Sequence, residues 1–250
     1  MAADDAITDP TMFGRRWADV YEAYVGARAL DPTTAVKFLS ALAGSGPALE
    51  LGIGSGRVAL PLIASGVQVH GIEASEEMAA LLRAKPGGDR VPVTIGDYAR
   101  FSIPQQFTLI YGPYNAILLL TTAADQRSCF HHVAKHLSEN GRLVVEAERP
   151  DLSGFVGNGR IMVAGLGPHH VELRVSRHRP SEQLITSQHI WITNDGVQLR
   201  PGATRYASPS ELDLMAVEAG LELEHRFGGW NREPYTDRSG AHISVYLKRP

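Results

Sequence analysis

Short apolar runs alternate with longer segments of helical periodicity between residues 48 and 147. The apolar runs predict five buried strands, at residues 48–53, 67–73, 91–96, 107–111 and 142–147. The helical segments between them lie at residues 57–65, 76–82 and 121–137. Ser75 is the N-cap candidate of the second segment, and the Asn140-Gly141 pair signals the end of the third. A buried strand is continuously apolar, whereas an amphipathic helix repeats its apolar residues every three to four positions. Strands that alternate with helices predict a parallel sheet with right-handed crossovers.

The pattern changes after Pro150, where alternating stretches rich in β-branched residues begin. The clearest of these stretches are residues 171–175 and 185–192. Turn signals separate them, at Pro180-Ser181 and Asn194-Asp195-Gly196. Together they predict an antiparallel meander over residues 151–207, inserted into the α/β frame. Helix and strand patterns then resume at residues 210–219, 221–227 and 241–248.

Composition restricts the classes of function that fit. Of the 250 residues, 44% are apolar and 20% are charged, as in an ordinary globular protein. The formal net charge is −3 and the basic residues are scattered, which gives no electrostatic footprint for nucleic acid or an anionic membrane. The longest apolar runs are far too short to cross a bilayer. We therefore expect neither nucleic-acid nor membrane partners.

Cysteine and histidine usage predicts a cytoplasmic protein without a metal site. Cys129 is the only cysteine, so no intramolecular disulfide is possible. The histidine pairs 131–132 and 169–170 are adjacent, and adjacent residues on a helix point in different directions, so no metal-ligand spacing stands out. The first residues lack a basic stretch followed by an apolar one, so no signal peptide is predicted.

A glycine-rich segment follows the first predicted strand and carries the strongest functional signal. It reads Glu50-Leu-Gly52-Ile-Gly54-Ser-Gly56. Glycines between a strand and a helix allow a tight turn and a close approach to a ligand, and the helix that follows offers free N–H groups. Glu73 closes the second strand, where an acidic residue commonly receives a ribose hydroxyl pair. The segment therefore predicts a site for an adenosine-containing ligand.

Two kinds of ligand fit such a site, a dinucleotide and a ligand with a cationic end. A third interpretation is that the glycines merely form turns. A dinucleotide fingerprint runs G-x-G-x-x-G and places a pyrophosphate at the helix N-terminus. This chain reads G-x-G-x-G, with Glu50 two positions before the first glycine. A carboxylate there would be poorly placed beside a pyrophosphate, which favours a ligand with a cationic end.

Further segments extend the pattern, at Tyr24-Val-Gly-Ala-Arg28, Gly71-Ile-Glu73-Ala74-Ser, Gly96-Asp97-Tyr98 and Tyr114-Asn115-Ala-Ile-Leu118. With the glycine loop, they make residues 17–150 resemble the class I S-adenosylmethionine-dependent methyltransferases. The resemblance is greatest to the small-molecule branch that includes glycine N-methyltransferases and amino-sugar methyltransferases. It implies a Rossmann-like, mostly parallel seven-stranded sheet with a reversed last strand, plus the antiparallel β meander inserted after strand five.

The same resemblance implies S-adenosyl-L-methionine as the cofactor and assigns residues to it. Tyr24 and Arg28 would fold over its carboxylate, Glu50 would lie near its amino group, and Asp97 and Tyr98 would contact the adenine. The implied cofactor-binding set is Tyr24, Arg28, Glu50, Gly52, Gly54, Gly56, Glu73, Ala74, Asp97 and Tyr98. Purely structural roles remain as alternatives: Asp97 could cap a short helix, and Tyr24 could lie on the core face of the N-terminal helix.

The acceptor side is less defined. Tyr114 and Asn115, after the fourth strand, match the motif that lines the sulfonium and are the candidates for positioning the acceptor. This motif lacks the acidic Pro-Pro-Tyr signature of amide and base N-methyltransferases. Tyr21 and the 228–240 loop could face the substrate, although a surface loop with a buried Trp anchor is an equal alternative. The loop's candidates are Trp230, Arg232 and Tyr235.

We therefore predict a methyltransferase that moves a methyl group to O or N of a small metabolite by in-line displacement, which needs alignment and exclusion of water. Alternatives are a related fold that binds S-adenosylmethionine without methyl transfer, as a cyclase or ligand-dependent module, and a nicotinamide-dependent oxidoreductase. Residues 47–150 and 208–250 would form the cofactor-binding domain. Residues 1–46 would form a helical lid, and residues 151–207 a lid or the surface of a possible homodimer.

Overall fold

Eleven strands and eight α-helices are present in the computed structural model, which describes residues 8–27 and 31–249. The strands are β1 Ala48–Leu51, β2 Val69–Glu73, β3 Val93–Ile95, β4 Phe107–Gly112, β5 Leu137–Glu148, β6 Gly159–Gly167, β7 His170–Arg179, β8 Leu184–Thr193, β9 Gly196–Arg205, β10 Leu221–Phe227 and β11 Ala241–Lys248. The helices are α1 Pro10–Trp17, α2 Tyr21–Ala27, α3 Thr33–Ala43, α4 Ala59–Ala64, α5 Glu76–Arg83, α6 Ala116–Leu119, α7 Ala123–His136 and α8 Pro209–Glu218.

Seven strands form the central sheet, in the order β10-β11-β5-β4-β1-β2-β3. Strands β1 to β5 pair in parallel, and β11 runs antiparallel to both of its neighbours, β5 and β10. Strand β10 therefore runs in the same direction as β5. The mostly parallel sheet with a reversed last strand is confirmed, and the carboxyl ends of six strands meet at one edge.

Local sequence signals explain where most helices begin. The predicted N-cap Ser75 accepts a hydrogen bond from the Met78 N–H, and Thr122 and Ser208 cap α7 and α8 in the same way. The helix that was predicted from residue 121 starts at Ala123, because Thr122 is its capping residue and lies outside the helix. Short α6 was not predicted, since four residues are too few to show a periodicity.

One predicted boundary is wrong. The Asn140-Gly141 pair was expected to end a helix before a strand at 142–147, but β5 already starts at Leu137. Leu137 pairs with Phe107, and the register then shifts before Leu109 pairs with Arg142. Asn140, at φ +59°, lies within this irregularity. An asparagine tolerates that conformation, so the local turn signal is compatible with a bulge inside the strand.

Helices cover both faces of the central sheet. Phe130, Leu212 and Met215, from α7 and α8, pack on one face. Phe38, Leu62 and Leu82 pack on the other, from α3, α4 and α5. Every residue of β1 is buried, as expected for a strand with helices on both sides.

Strands β6 to β9 form a second, antiparallel sheet in sequential order, which confirms the inserted meander. We call it the meander sheet. Trp17 ties α1 to it, because its Nε1–H donates to the Pro201 carbonyl at 2.8 Å. Arg205, at the end of β9, ties it to the core through Glu211 at 2.6 Å and Gln126 at 2.5 Å. Within residues 8–27 and 31–249, no helix is long and apolar enough to span a membrane.

The ion pair of Arg205 is expected to stabilise the fold measurably. The Arg205 side chain is 5% exposed, so Arg205→Met removes the charged donor to Glu211 Oε1 and to the buried Gln126 Oε1. We expect the free energy of unfolding in urea to fall by about 3 kcal/mol.

A matched control is Arg249→Met, because Arg249 and Glu222 form a pair of similar length, 2.7 Å, with side chains that are 67% and 53% exposed. Its effect should stay below about 1 kcal/mol. Equal losses in both variants would show that the Arg205 pair does not anchor the meander sheet.

Candidate functional site

The glycine loop lies at the carboxyl end of β1 and leads into α4. Gly52 and Gly54 have φ values of +69° and +55°, which side-chain-bearing residues rarely adopt. A Cβ built on Gly54 would lie 3.3 Å from the Met78 methyl group, and one on Gly52 would lie 3.4 Å from the Tyr98 ring. The loop therefore needs glycine for its backbone conformation, and it presents bare backbone between β1 and β2.

Gly56, the third glycine of the motif, lies where a side chain would not fit. A Cβ at this position would lie 2.3 Å from a Leu82 methyl carbon and 3.2 Å from Leu60. Its α-carbon therefore faces the helices that pack beside the loop. Gly56 therefore permits close packing, and its contact with a cofactor stays a prediction.

Glu73 holds the glycine loop against the end of β2. Its Oε2 accepts the Gly54 N–H at 2.8 Å, and its Oε1 accepts the Ser75 N–H at 2.9 Å. Burial raises the pKa of this carboxyl, and the backbone N–H groups of Ser75, Gly54 and Ala74 oppose that rise. Each carboxylate oxygen has a second lone-pair site, so Glu73 can also accept hydrogen bonds from a ribose.

Asp97 and Tyr98 follow β3 and lie next to the same site. The Gly96 N–H donates to the Glu73 carbonyl, which places the turn beside the end of β2. Asp97 accepts the Ala99 N–H at 2.8 Å, so the capping role considered from the sequence is present. Tyr98 is buried, and its hydroxyl donates to the Ala116 carbonyl at 2.9 Å. Tyr98 thus joins β3 to α6 and packs beside Gly52.

Glu50 is a fully enclosed carboxyl in the central strand. Only 3% of the residue is exposed, and its Oε2 accepts the Tyr111 hydroxyl at 2.9 Å. Burial raises the pKa of Glu50 to about 8, against the favourable influence of the Tyr111 hydrogen bond and the Arg57 charge. Glu50 is therefore poised to ionise when a cationic group approaches it.

Arg57, which the sequence interpretation did not single out, contacts both Tyr114 and Tyr21. Its guanidinium carbon is 3.3 Å from the centroid of the Tyr114 ring, in cation–π geometry. Burial raises the pKa of the Tyr21 hydroxyl, and the charge and hydrogen bonding of Arg57 oppose that rise. The predicted Tyr21 and Tyr114 are thus brought together through Arg57. Its signal was its place directly after Gly56.

Glu146 is the second functional candidate that was missed. It lies near the carboxyl end of β5, where it accepts hydrogen bonds from the Tyr114 N–H and, at 3.1 Å, from the Trp230 Nε1–H. Burial raises the pKa of Glu146, although both donors favour its ionised form. A lone acidic residue in the apolar stretch Leu143-Val-Val-Glu146-Ala was the signal that could have identified it.

Tyr114 and Asn115 adopt an unusual backbone conformation after β4. Both have positive φ values, +51° and +66°, although neither is glycine. Asn115 Oδ1 accepts the Glu148 N–H at 2.7 Å, while Glu146 holds the Tyr114 N–H. Such conformations persist only where neighbours fix them, and they cluster at functional sites. The Asn115 side chain therefore supports the loop, and the Tyr114 ring faces Arg57.

The 228–240 loop emerges at the carboxyl edge of the central sheet, after β10. Its three candidate site residues lie in different places. Trp230 contacts Glu146 and packs 5.5 Å from the Phe38 ring, so it is both an anchor and a site residue. Arg232 lies over Phe38 and Phe227. Tyr235 lies 5.9 Å from the His242 ring and lines a separate cleft with Tyr206 and Pro209. The structure therefore brings only Trp230 to the Glu146 carboxylate.

Tyr24 lies in an aromatic cluster between α2 and the meander sheet. Its ring centroid is 4.7 Å from that of Trp17 and 6.3 Å from that of Trp191. This arrangement matches the helix-core alternative considered for it. Arg28, which was predicted with Tyr24 to bind the cofactor carboxylate, lies outside the described residues.

Comparison with known proteins finds similarity to methyltransferases. A family model described as a methyltransferase domain matches residues 48–141, which run from β1 into β5. The cypemycin N-terminal methyltransferase of a Streptomyces species is 25% identical over 203 residues, which cover 80% of this chain and 82% of that protein.

Solved structures share the fold. The CcbJ methyltransferase of Streptomyces caelestis is 35% identical to this chain, superposes with a TM-score of 0.90, and is matched over 97% of this chain and 100% of its own. The S-adenosylmethionine-bound amino pentose methyltransferase CalS10 of Micromonospora echinaspora is 23% identical, with a TM-score of 0.69 over 92% and 96% of the two chains. The meander sheet therefore lies within the matched region of the first structure.

The contacts of Glu73 generate a prediction about cofactor affinity. Glu73→Gln keeps the side-chain shape but removes the charge and one acceptor oxygen, so S-adenosylhomocysteine should bind about 10-fold more weakly in isothermal titration. Glu76→Gln, three residues on and with an exposed side chain, is the control and should bind like the unaltered protein. Unchanged affinity in Glu73→Gln would remove Glu73 from the cofactor site.

Proposed function

The chain belongs to the class I S-adenosylmethionine-dependent methyltransferases, and we propose that it methylates an oxygen or nitrogen of a small metabolite. One observation carries this proposal. Glu146 at the end of β5 holds the Tyr114 loop at the end of β4, beside Arg57 and the glycine loop. A half-buried carboxylate and a half-buried cation are thus placed next to the cofactor loop, beside the Tyr114 and Trp230 rings.

The residues at the glycine loop fit the cofactor. Gly52 and Gly54 leave bare backbone where a Cβ would stand, and Glu73 offers two oxygens to ribose hydroxyls. We propose that Asp97 and the buried Glu50 complete the binding set, Glu50 toward the cationic methionyl end. S-adenosylmethionine supplies an activated methyl group on a positively charged sulfur. The protein's own task is to align the acceptor and exclude water.

Glu146 is the residue that we propose acts on the acceptor. Each of its oxygens already accepts one hydrogen bond, and each can accept another. The Tyr114 and Trp230 donors fix the carboxylate, so an acceptor N–H or O–H can donate to Oε1 or Oε2 in a defined direction. A protonated amine would lose its proton to this carboxylate before it becomes a nucleophile. The N-terminal methylation named for the cypemycin relative supports an amine acceptor.

The N-terminal helices and the meander sheet would enclose this site. The Trp17 bond to Pro201 and the Tyr24 contact with Trp191 join the two, which supports the proposed division into a helical lid at 1–46 and a covering meander at 151–207. An enclosed site suits a compact acceptor better than a polymer. Cytoplasmic location stays a prediction from the sequence.

Methyl transfer to a small molecule is tested with S-adenosylmethionine and a panel of amines and alcohols. We expect release of S-adenosylhomocysteine that depends on the acceptor, and an acceptor product heavier by one methyl group in mass spectrometry. Proteins and nucleic acids serve as the comparison acceptors. Methylation of these polymers with none of any small molecule would contradict the proposal.

The buried Glu146 carboxyl should govern the pH dependence of methyl transfer. Because burial raises its pKa, the ionised form is lost as pH falls through a value above that of an ordinary glutamate, and kcat should fall with it. Glu146→Gln should lower kcat about 100-fold and remove this limb of the pH profile. Glu148→Gln, two positions along the same strand, is the control and should keep this limb, displaced to slightly lower pH because the Glu148 charge helps to raise the pKa of Glu146. An unchanged profile in Glu146→Gln would exclude Glu146 as the proton acceptor.

A further inference from the structure

A cleft separate from the glycine loop opens at the carboxyl edge of the central sheet. It lies where the 228–240 loop meets the connection between β9 and α8, and its volume is about 280 Å³. Tyr206, Tyr235, Pro150 and Pro209 are among the residues that line it. Pockets that enclose a whole small-molecule ligand measure about 300–1,000 Å³, so this cleft is sized for one part of a molecule.

His242, near the start of β11, is a buried polar side chain in the lining of this cleft. Only 4% of the residue is exposed, and its Nδ1 lies 2.8 Å from the Ser244 hydroxyl oxygen. Its Nε2 has no hydrogen-bond partner within residues 8–27 and 31–249. Nε2 is therefore the ring nitrogen that is left for a ligand in the cleft.

A chain of hydrogen bonds sets the position of the proton on this ring. Tyr246 and Arg226 both donate to Asp213 Oδ1. Arg226 Nε also donates to Ser244 Oγ, at 3.0 Å. An arginine has no acceptor atom, so Ser244 accepts this bond and its own hydroxyl proton can go to His242 Nδ1. The ring proton then lies on Nε2, which makes Nε2 a donor.

The lining of the cleft carries no net charge. Burial and the Arg226 charge lower the pKa of His242 to about 4, against the opposing influence of Asp213, so the ring is neutral at neutral pH. Among the described residues of the lining, the charged ones are Glu148 and Arg149, which have opposite signs. A neutral ligand with an oxygen that accepts the Nε2–H therefore fits the cleft better than an anion or a cation.

The cleft adjoins the methyl-transfer site along β5. Glu148 lines it and lies two residues beyond Glu146, a distance of about 7 Å along a strand. The Asn115 side chain accepts the Glu148 N–H, so the loop after β4 supports the same wall. A ring in the cleft and a nucleophile at Glu146 can therefore belong to one acceptor molecule.

We propose that the cleft binds a planar aromatic ring of the methyl acceptor, and that a carbonyl oxygen attached to this ring accepts the His242 Nε2–H. The Tyr206 hydroxyl is already bound to His178 Nε2 at 3.0 Å, and the Tyr235 ring packs 5.9 Å from His242. Both rings are thus held where an aromatic ring can pack on them. The assignment of this ring to the acceptor rests on the proposed function, whereas the binding of the ring does not.

Binding of the ring is tested with N-methylbenzamide, a neutral aromatic probe that carries a carbonyl oxygen and no amine. In a ligand-detected NMR titration of the full chain, we expect a dissociation constant of roughly 1 mM, as is usual for a ligand of about ten heavy atoms. N-methylcyclohexanecarboxamide has the same carbonyl on a saturated ring and should bind more weakly. No binding of N-methylbenzamide, or equal affinities for the two probes, would overturn the proposal.

Tyr235 provides a matched pair of variants, because it lies in a loop and is 38% exposed. Tyr235→Leu removes the ring and should weaken the binding of N-methylbenzamide about 5-fold, since the packing between aromatic rings is lost. Tyr235→Phe keeps the ring and should bind the probe like the unaltered protein. Unchanged affinity in Tyr235→Leu would show that the probe binds outside this cleft.

The His242 ring reports on the hydrogen bond itself. Proton–nitrogen correlation spectra show which ring nitrogen carries the proton, and the His242 signals are identified by their loss in His242→Gln. At neutral pH the proton should lie on Nε2, and the Nε2 signal should shift when N-methylbenzamide is added. A proton on Nδ1, or an Nε2 signal that does not respond to the probe, would contradict the proposal.

The place of the ring in the acceptor is tested by kinetics with primary amines that carry a benzoylamino group on alkyl chains of different length. At the best length, KM should be about 10-fold lower than for the matching acetylamino compound, because the ring adds binding in the ground and transition states alike. Tyr235→Leu should abolish this advantage, and Tyr235→Phe should retain it. An equal KM at every length would show that the ring is not part of the acceptor. Because N-methylbenzamide has no amine, its binding decides the cleft even if no amine is methylated.

Discussion

One buried and two half-buried carboxylates at one edge of the central sheet impose the constraint on which the site depends. A buried carboxylate is costly unless donors surround it, so each of the three fixes the chain that supplies its donors. Glu73 fixes the glycine loop and the start of α5, and Glu50 takes the Tyr111 hydroxyl. Glu146 fixes the strained loop after β4 and the Trp230 loop together. The carboxyl edge is thus shaped before any ligand arrives.

The same burial prepares these groups for a cationic ligand. Desolvation raises the pKa of all three carboxyls, and it raises that of Glu50 to about 8, so part of the Glu50 charge is withheld near neutral pH in the free protein. A sulfonium and an α-amino group bring positive charge into this region and favour ionisation. Arg57 opposes this rise in pKa, because its guanidinium, held over the Tyr114 ring, favours the ionised forms of Glu50 and Glu146.

The meander sheet contacts both the N-terminal helices and the core of the protein. Its inner face meets the aromatic residues of α1 and α2, and Arg205 joins it to α7 and α8 through Gln126 and Glu211. A sheet that gives its polar face to the protein interior leaves its aliphatic face outside.

The sequence by itself determined the strand and helix order, the inserted meander, the glycine loop and Glu73, because periodicity, turn residues and short spacings are local properties. Tertiary structure alone decided the pairing of Glu146 with Tyr114 and Trp230, residues 32 and 84 positions apart from it. It also turned Gly56 toward Leu82 and placed Arg57 on Tyr114. Tyr24 and Tyr235 were predicted as site residues from their segments, and packing places Tyr24 beside Trp17 and Trp191 and Tyr235 beside His242. Such contacts join distant segments of the chain, and no local pattern records which distant segments fold together.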